Sequence, residues 1–295
     1  MNLLHLDADV REIAVEGAAT RIAFLAKSGF VAWPGLSGIL DQADKFLLGD
    51  SSQELVQQAI ISPPRCGVSS LLREIERRGM ARSGLVRAAV LIDAPAKFEP
   101  VRVSHALCAA LDAVGSPAPG AMRSEFKAVG ALRDCNTRLI MVRKVDRLES
   151  RQQTRLALYL QTFCEKTRCH LLLTGGRHLK RSLSKEVELA ARFSVIKVDP
   201  WTPNRGAVGT VVAALRRYPL RQPSPVTPAF MATLFGRTRG RPGAVFALLK
   251  AAAREAIESK RERIDDHLLA SVEAPFLAEA SLEDLADRSV DDAHA

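Results

Sequence analysis

The 295-residue sequence has few aromatic residues, few cysteines and no long hydrophobic run. Aromatic residues make up 5% of the chain, too few for a stacking platform that binds single-stranded nucleic acid. The five cysteines are irregularly spaced and include no C-x-x-C pair, which argues against a disulfide framework and against a zinc site. No apolar segment reaches the roughly 20 residues of a membrane helix, and no signal peptide is recognisable. We therefore expect a cytoplasmic protein without a metal site or a membrane partner.

Charge is unevenly distributed between the two signs. The chain has 42 Lys and Arg against 33 Asp and Glu, a net charge of +9, although its last residues, LEDLADRSVDDAHA, are acidic. Such an excess favours an anionic partner, nucleic acid first. A generally basic surface is the alternative. With 47% hydrophobic and 25% charged residues, the composition is otherwise that of an ordinary globular protein.

Apolar runs and helical patterns alternate along the middle of the chain. Helices broken near Gly29 and around Trp33–Gly35 come first, and a helix is expected at about 35–48. Strands are then predicted at 59–62, 87–94, 138–142, 170–176 and 193–199, with helices at 70–79, 101–115, 122–133 and 151–167. Strands separated by helices indicate parallel βαβ units, so the fold class is α/β. From Trp201 to Ala270 the pattern is almost wholly helical.

The segment SPPRCGVSS has the outline of a phosphate-binding loop between a strand and a helix. That loop follows the pattern G-x-x-x-x-G-K-[ST]. Ser62 takes the place of the first glycine, Gly67 keeps the second and Val68 replaces the lysine, which leaves no charge for the β- and γ-phosphates. We take the degenerate nucleotide-binding loop to be Ser62, Pro63, Pro64, Arg65, Cys66, Gly67, Val68, Ser69 and Ser70.

The predicted third strand ends in the wrong charge for a nucleotide hydrolase. There an acidic residue holds Mg²⁺, whereas here Arg143 and Lys144 follow the strand and the first acid is Asp146. Unit charges about 4 Å apart interact by about 4 kcal/mol at an effective dielectric of about 20, so two cations oppose a dication strongly. Two altered motifs predict a retained fold with no catalytic residues and no required cofactor. Arg143 and Lys144 leave one alternative, weak ATP or ADP binding without Mg²⁺.

Four segments together resemble one protein family. They are RIAFLAKSGFVAWPGLSGIL (21–40), VLIDAPAKFEPVRVSHALCAALDAVGSP (90–117), LAARFSVIKVDPWTPN (189–204) and GRTRGRPGAVFALLKAAAREAIESKRERI (236–264). In order and spacing they are similar to AAA+ ATPases of the TniB/TnsC transposition type. The resemblance implies an AAA+ P-loop NTPase fold, with a parallel five-stranded sheet and a C-terminal helical lid. The implied regions are an N-terminal helical region (1–49), the core (50–200), the lid (201–272) and an acidic tail (273–295).

The resemblance also implies roles for individual residues. Arg192 matches an arginine finger that reaches a neighbouring subunit's nucleotide. Its alternative is a surface arginine near a strand start, or one paired with a carboxylate. Thr174 matches a sensor position, against a plain strand-end threonine. The sensor arginine of the lid falls at Ala244, and Arg241 lies close enough to substitute. The RGRPG around Arg241 is also similar to a minor-groove hook, although a turn with a proline at a helix start is the simpler interpretation.

Three groups of basic residues are candidates for contact with duplex DNA. Phosphate contacts by such residues give salt-sensitive affinity without sequence preference. The groups are Lys180, Arg181 and Lys185; Arg143, Lys144 and Arg147; and Arg216, Arg217 and Arg221. A solvated surface remains the alternative for any single one.

Together these patterns predict a catalytically degenerate AAA+ adaptor in DNA transposition. It would bind double-stranded DNA, recruit or restrain a transposase or target-selection protein, and form homo- or hetero-oligomers with AAA+ subunits. One alternative is an unusual active NTPase that uses Ser69, Asp146 and a lysine from elsewhere. Another is a protein-only interaction module in phage defence or replication loading.

Overall fold

The computed structural model describes residues 3–27, 30–48, 54–81, 87–112 and 121–273. In these ranges the chain begins with helices α1 (Ala8–Ala14), α2 (Ala18–Lys27) and α3 (Pro34–Leu48). The α/β part then runs through β1 (Gln57–Ile61), α4 (Val68–Ala81), β2 (Ala89–Asp93), α5 (Pro100–Ala110), α6 (Ala121–Asp134), β3 (Leu139–Arg143), α7 (Ser150–Thr167), β4 (His170–Gly175), α8 (Arg177–Lys185), α9 (Val187–Arg192) and β5 (Phe193–Lys197). The last helices are α10 (Arg205–Leu215), α11 (Pro228–Thr238), α12 (Pro242–Glu258) and α13 (Asp266–Ser271).

The five strands form one parallel sheet in the order β2-β3-β4-β1-β5. Its strands are short apolar runs; Leu139–Val142 of β3, for example, are fully buried. Parallel sheets are covered by helices on both faces, which is why such continuous apolar runs occur. The predicted α/β class and the parallel five-stranded sheet are thus confirmed. Helix α5 ends at Ala110, earlier than the helix predicted at 101–115, and residues 113–115 of that prediction lie outside the described residues.

The described residues form two compact units. The α/β unit takes residues 35–63 and 68–198. The helical unit takes the residues up to Pro34, the short segment Pro64–Gly67, and the chain from Asp199 onward. The predicted N-terminal region 1–49 is therefore divided, because α1 and α2 belong to the helical unit and α3 from Gly35 belongs to the α/β unit. The predicted loop is divided as well, at Pro64 and again after Gly67.

A buried ion pair connects α2 to the rest of the helical unit. The Arg21 side chain is 2% exposed and forms an ion pair with Glu262. Arg21 Nε also donates to the Pro219 carbonyl at 2.9 Å. Burial alone would raise the pKa of Glu262, but the hydrogen bonds and charge of Arg21, helped by Arg221, hold that pKa below its ordinary value. Arg21 thus stabilises the charged form of Glu262.

No helix of the described part combines the length and apolarity that crossing a bilayer requires.

Candidate functional site

The loop after β1 keeps the backbone course of a tight strand-to-helix connection. Ser62 N–H donates to the Gly175 carbonyl of β4 at 3.1 Å and so extends the parallel pairing by one residue. Arg65 and Gly67 then adopt left-handed conformations, with φ of 62° and 81°. Glycine is the residue that enters this region without steric cost. Val68 opens α4, so the loop ends at the amino end of a helix.

The side chains of this loop differ from what phosphate binding needs. Val68, at the lysine position, is 8% exposed and counts among the core residues. Ser69 and Ser70 are exposed in the first turn of α4. The hydroxyl group of the motif is thus retained beside a helix amino terminus, but the position of the cation holds a buried hydrocarbon side chain.

The segment Pro64–Gly67 is in direct contact with α12. Gly243 N–H donates to the Arg65 carbonyl at 2.7 Å. A Cβ atom placed on Gly243 would lie 2.5 Å from that oxygen and 3.2 Å from the Gly67 nitrogen. Between them Cys66 is 1% exposed, and burial raises the pKa of its thiol to about 11, a rise that Arg241 opposes and Asp199 reinforces. Cys66 is thus a neutral packing residue.

An aromatic cluster covers the same loop segment. We use this name for Phe30, Trp33, Trp201 and Phe246. The Trp33 ring meets Trp201 edge-on at a centroid distance of 5.7 Å and lies 6.1 Å from Phe246 and 6.2 Å from Phe30. Trp33 is 4% exposed, and a Cβ atom on Gly67 would overlap its ring. The second glycine of the motif is therefore needed here to make room for an indole.

The cations after β3 have an acidic partner that the sequence analysis missed. Asp93 ends β2 and lies in register with Arg143. Its carboxylate pairs with Arg143 through Oδ1 and with Lys144 through Oδ2, the latter at 2.7 Å. Burial would raise the pKa of Asp93, but these two cations outweigh burial and lower it. The signal was available, because Asp93 closes a predicted strand and strand ends of a parallel sheet meet at one edge.

Asp146 follows β3, and Thr174 lies near the end of the adjacent strand β4. Asp146 is exposed in a 3₁₀ turn, Val145–Arg147, and a Cβ atom on Gly175 would lie 3.3 Å from its Oδ1. Thr174 is buried in β4, opposite Ile60 of β1. The structure thus brings the one predicted acid close to the predicted sensor strand. In the described ranges no three His, Cys, Asp or Glu side chains are grouped so that they could hold a metal ion.

The two arginines assigned by resemblance lie in different settings. Arg192 is exposed at the end of α9, and its Nη1 donates to Glu165 Oε1 of α7 at 2.6 Å. It is a surface arginine at the start of a strand with an acidic partner. Arg241 is 8% exposed, directly before Pro242 in the first turn of α12. The RGRPG segment is therefore a turn that leads into a helix.

The basic groups predicted for DNA contact separate into two kinds. On α8, Lys180, Arg181 and Lys185 are exposed, while the helix buries Leu179, Ser182 and Leu183. The group Arg216, Arg217 and Arg221 makes hydrogen bonds within the helical unit. These are Arg216 Nε to Asp7 Oδ1 at 3.0 Å, Arg217 Nη1 to the Phe30 carbonyl at 3.0 Å, and Arg221 Nε to the Ala14 carbonyl at 3.0 Å. Helix α8 thus presents a cluster of exposed cations.

The sequence of the chain was compared with protein families. The family described as "Bacterial TniB protein" matches residues 21–203, more than half of the chain. The chain belongs to the TniB family. This TniB-family assignment confirms the resemblance seen in the sequence, and it connects the chain with transposition. A search of curated proteins found no match.

Several solved structures are similar to this TniB-family chain. Cdc6p from Pyrobaculum aerophilum is 14% identical with a TM-score of 0.60, over 82% of this chain and 67% of that one. The Aeropyrum pernix ORC1 protein in complex with DNA is 16% identical with a TM-score of 0.59, over 89% and 69%. Domain III of Thermotoga maritima DnaA is 12% identical with a TM-score of 0.53, over 81% and 91%. The fold is therefore that of the AAA+ P-loop ATPases, as predicted.

Proposed function

We propose that this TniB-family protein is a non-catalytic AAA+ adaptor in DNA transposition. It binds duplex DNA, assembles with AAA+ subunits, and recruits or restrains a transposase or target-selection protein. The observation that carries the proposal is the combined change at the two nucleotide motifs. Val68 is buried where a lysine would meet phosphate, and Arg143 and Lys144 share Asp93 where a carboxylate would meet Mg²⁺.

Both changes remove something that phosphoryl transfer requires. Catalysis in this fold depends on positioning and on neutralising the charge that spreads over the transferred phosphoryl group. Mg²⁺ needs hard oxygen ligands, and Asp93 is already neutralised by two cations. No nucleotide is then required for function, and any ATP or ADP binding is weak and independent of Mg²⁺.

The first test is phosphate release from ATP by the purified protein, with and without duplex DNA. We expect no turnover. Val68→Lys should not restore it, because Arg143 and Lys144 still occupy the metal side. Ser69→Ala is the matched control for contamination, since it removes the retained hydroxyl from the motif. Turnover that disappears in Ser69→Ala would contradict the proposal and favour an active enzyme that uses Ser69 and Asp146.

DNA binding is supported by charge and by geometry. The chain carries a net charge of +9, and α8 exposes Lys180, Arg181 and Lys185. Arg181 and Lys185 are four residues apart and lie on the same side of the helix, with Lys180 next to them in sequence, which suits contact with a phosphate backbone. The similar ORC1 structure contains DNA. We therefore place the DNA contact on the exposed face of α8.

This placement is tested by duplex binding over a series of salt concentrations. Each phosphate contact steepens the plot of log K against log salt by about 0.9, so the combined Lys180→Glu, Arg181→Glu and Lys185→Glu variant should be less steep by up to about 3. Arg216→Gln with Arg217→Gln is the control, and it should leave the slope unchanged. Wild-type binding by the α8 variant would show that DNA does not bind at α8. No duplex binding by the wild-type protein would favour the protein-only module.

Assembly with an active AAA+ neighbour gives Arg192 a role. Arg192 is exposed, and its partner Glu165 is exposed too, so the guanidinium can leave the pair at little cost. Arg192→Ala should lower ATP hydrolysis by an intact AAA+ partner in a mixed assembly. Glu165→Gln, which only releases the arginine, should leave that hydrolysis intact. Equal rates with wild type and Arg192→Ala would contradict the role in trans.

A further inference from the structure

We propose that Trp33 is an internal plug of the loop segment Pro64–Gly67. Its indole ring covers one side of Gly67. A nucleotide can bind to this loop segment only after Trp33 has left. This inference rests on the proposed function, in which the loop no longer serves catalysis. It concerns contacts within the helical unit alone.

The fit of the ring against Gly67 is the first step. Trp33 is 4% exposed, and the ring lies so close that no side-chain carbon fits on Gly67. A phosphate-binding loop works through its backbone N–H groups, which must be reachable. Here a large apolar group lies against the second glycine, so that side of Gly67 is covered by protein.

A second contact closes the neighbouring part of the loop. Gly243 N–H donates to the Arg65 carbonyl at 2.7 Å, and a Cβ atom on Gly243 would meet both that oxygen and the Gly67 nitrogen. No atom fits between the first turn of α12 and the loop backbone at this distance. The loop carbonyl thus satisfies one of the N–H groups that a helix amino terminus leaves unpaired.

The ring itself is held from several sides. Trp201 meets it edge-on, and the backbone N–H of Trp201 donates to the Gly240 carbonyl at 2.7 Å, which connects that neighbour to the turn before α12. Phe246 and Phe30 complete the aromatic cluster. Edge-on and tilted arrangements are the preferred geometries of aromatic pairs. The plug is therefore a packed part of the unit, whose removal needs the cluster to open.

The affinity for nucleotide then depends on how often the cluster is open. If the open form makes up about a tenth of the molecules, the apparent affinity is about tenfold below that of a permanently open loop. Trp33→Ala should therefore bind a fluorescent ADP analogue, in EDTA, about tenfold or more tightly than wild type. Phe246→Ala is the matched control. It removes a ring that holds Trp33 but leaves Trp33 on Gly67, so its affinity should lie between those of wild type and Trp33→Ala.

A second measurement follows Trp33 directly. The chain has two tryptophans, so Trp201→Phe leaves Trp33 as the only one. Acrylamide should quench its emission weakly. Any nucleotide that binds should make Trp33 accessible to the quencher. This readout does not depend on whether Trp33→Ala folds, which circular dichroism checks separately.

Two results would overturn the plug. One is equal nucleotide binding, or equal absence of binding, by wild type and a folded Trp33→Ala variant. The other is nucleotide binding to the Trp201→Phe protein while Trp33 stays shielded. Phosphate release measured in the same samples separates the two proposals. Hydrolysis by wild type overturns the proposed function, whereas tight binding by Trp33→Ala without hydrolysis supports both.

Discussion

The helical unit and the α/β unit hold their key contacts by different physical means. In the helical unit, Trp33 packs on Gly67 and Arg21 pairs with Glu262, and these side chains are almost wholly buried. In the α/β unit, Asp93 pairs with Arg143 and Lys144, and its side chain is 37% exposed. Packing and buried ion pairs hardly respond to salt, while partly exposed charges are screened by it.

The same difference separates the two predicted nucleotide motifs. At the loop, Gly67 packs against the ring of Trp33. At the end of β3, Arg143 and Lys144 pair with Asp93 of the neighbouring strand. The first arrangement is part of the packing of the helical unit. The second leaves charges that remain accessible to solvent.

The largest effect should come from breaking the buried ion pair. Arg21→Ala removes the main partner of Glu262 and the donor to the Pro219 carbonyl, and removing one member of a buried pair costs about 3–5 kcal/mol of unfolding free energy. Urea unfolding measures the loss. Arg192→Ala, at an exposed pair, is the control and should change stability by less than about 1 kcal/mol. Similar losses in both variants would erase the contrast between the units.

Next in size is the contact of α12 with the loop. Gly243→Ala places a carbon against the Arg65 carbonyl, and such overpacking costs about 1–3 kcal/mol. Gly209→Ala, in α10, meets nothing within 4 Å and should stabilise by up to about 1 kcal/mol, because alanine is the better helix former. The two variants should therefore move the melting temperature in opposite directions. A rise in both would show that the loop does not touch α12.

A smaller effect should appear on acidification. The folded-state pKa of Glu262 lies below its ordinary value, so its contribution is complete above about pH 4.3, the unfolded value, and is lost as pH falls through the folded value. The stability difference between wild type and Glu262→Gln should therefore shrink below that pH. Glu258→Gln, at an exposed pair with Arg254, should show little difference throughout. A constant Glu262 difference down to pH 2 would contradict the assignment.

The smallest effect on stability is expected where Asp93 pairs with Arg143 and Lys144. Asp93→Asn should cost less than about 1 kcal/mol, and that cost should decrease in high salt. The same change releases Arg143 and Lys144, so binding of ADP in EDTA should strengthen while stability hardly moves. Thermal melting and a binding titration measure the two quantities. A large, salt-independent loss of stability would mean that Asp93 contributes to stability as a buried ion pair does.

Sequence patterns predicted the architecture well for a definite reason. The strands are short apolar runs between amphipathic helices, so local periodicity is enough to identify β1 to β5 and helices α4 to α7. It did not identify α8 and α9, which lie between β4 and β5. The loop was also recognisable, because its residues are contiguous. The identity of the partner of Arg192 was not predictable, since Glu165 is 27 residues away.

The order of chemical groups along the chain determined that this protein has an AAA+ fold, with valine for lysine and cations for acid at its two motifs. Only the tertiary structure decided that Asp93 compensates those cations and that Trp33 covers Gly67. The physical reason is separation along the chain: Asp93 lies 50 residues from Arg143, and the aromatic cluster joins Phe30 to Phe246. Local propensity carries no information about contacts that only folding brings together.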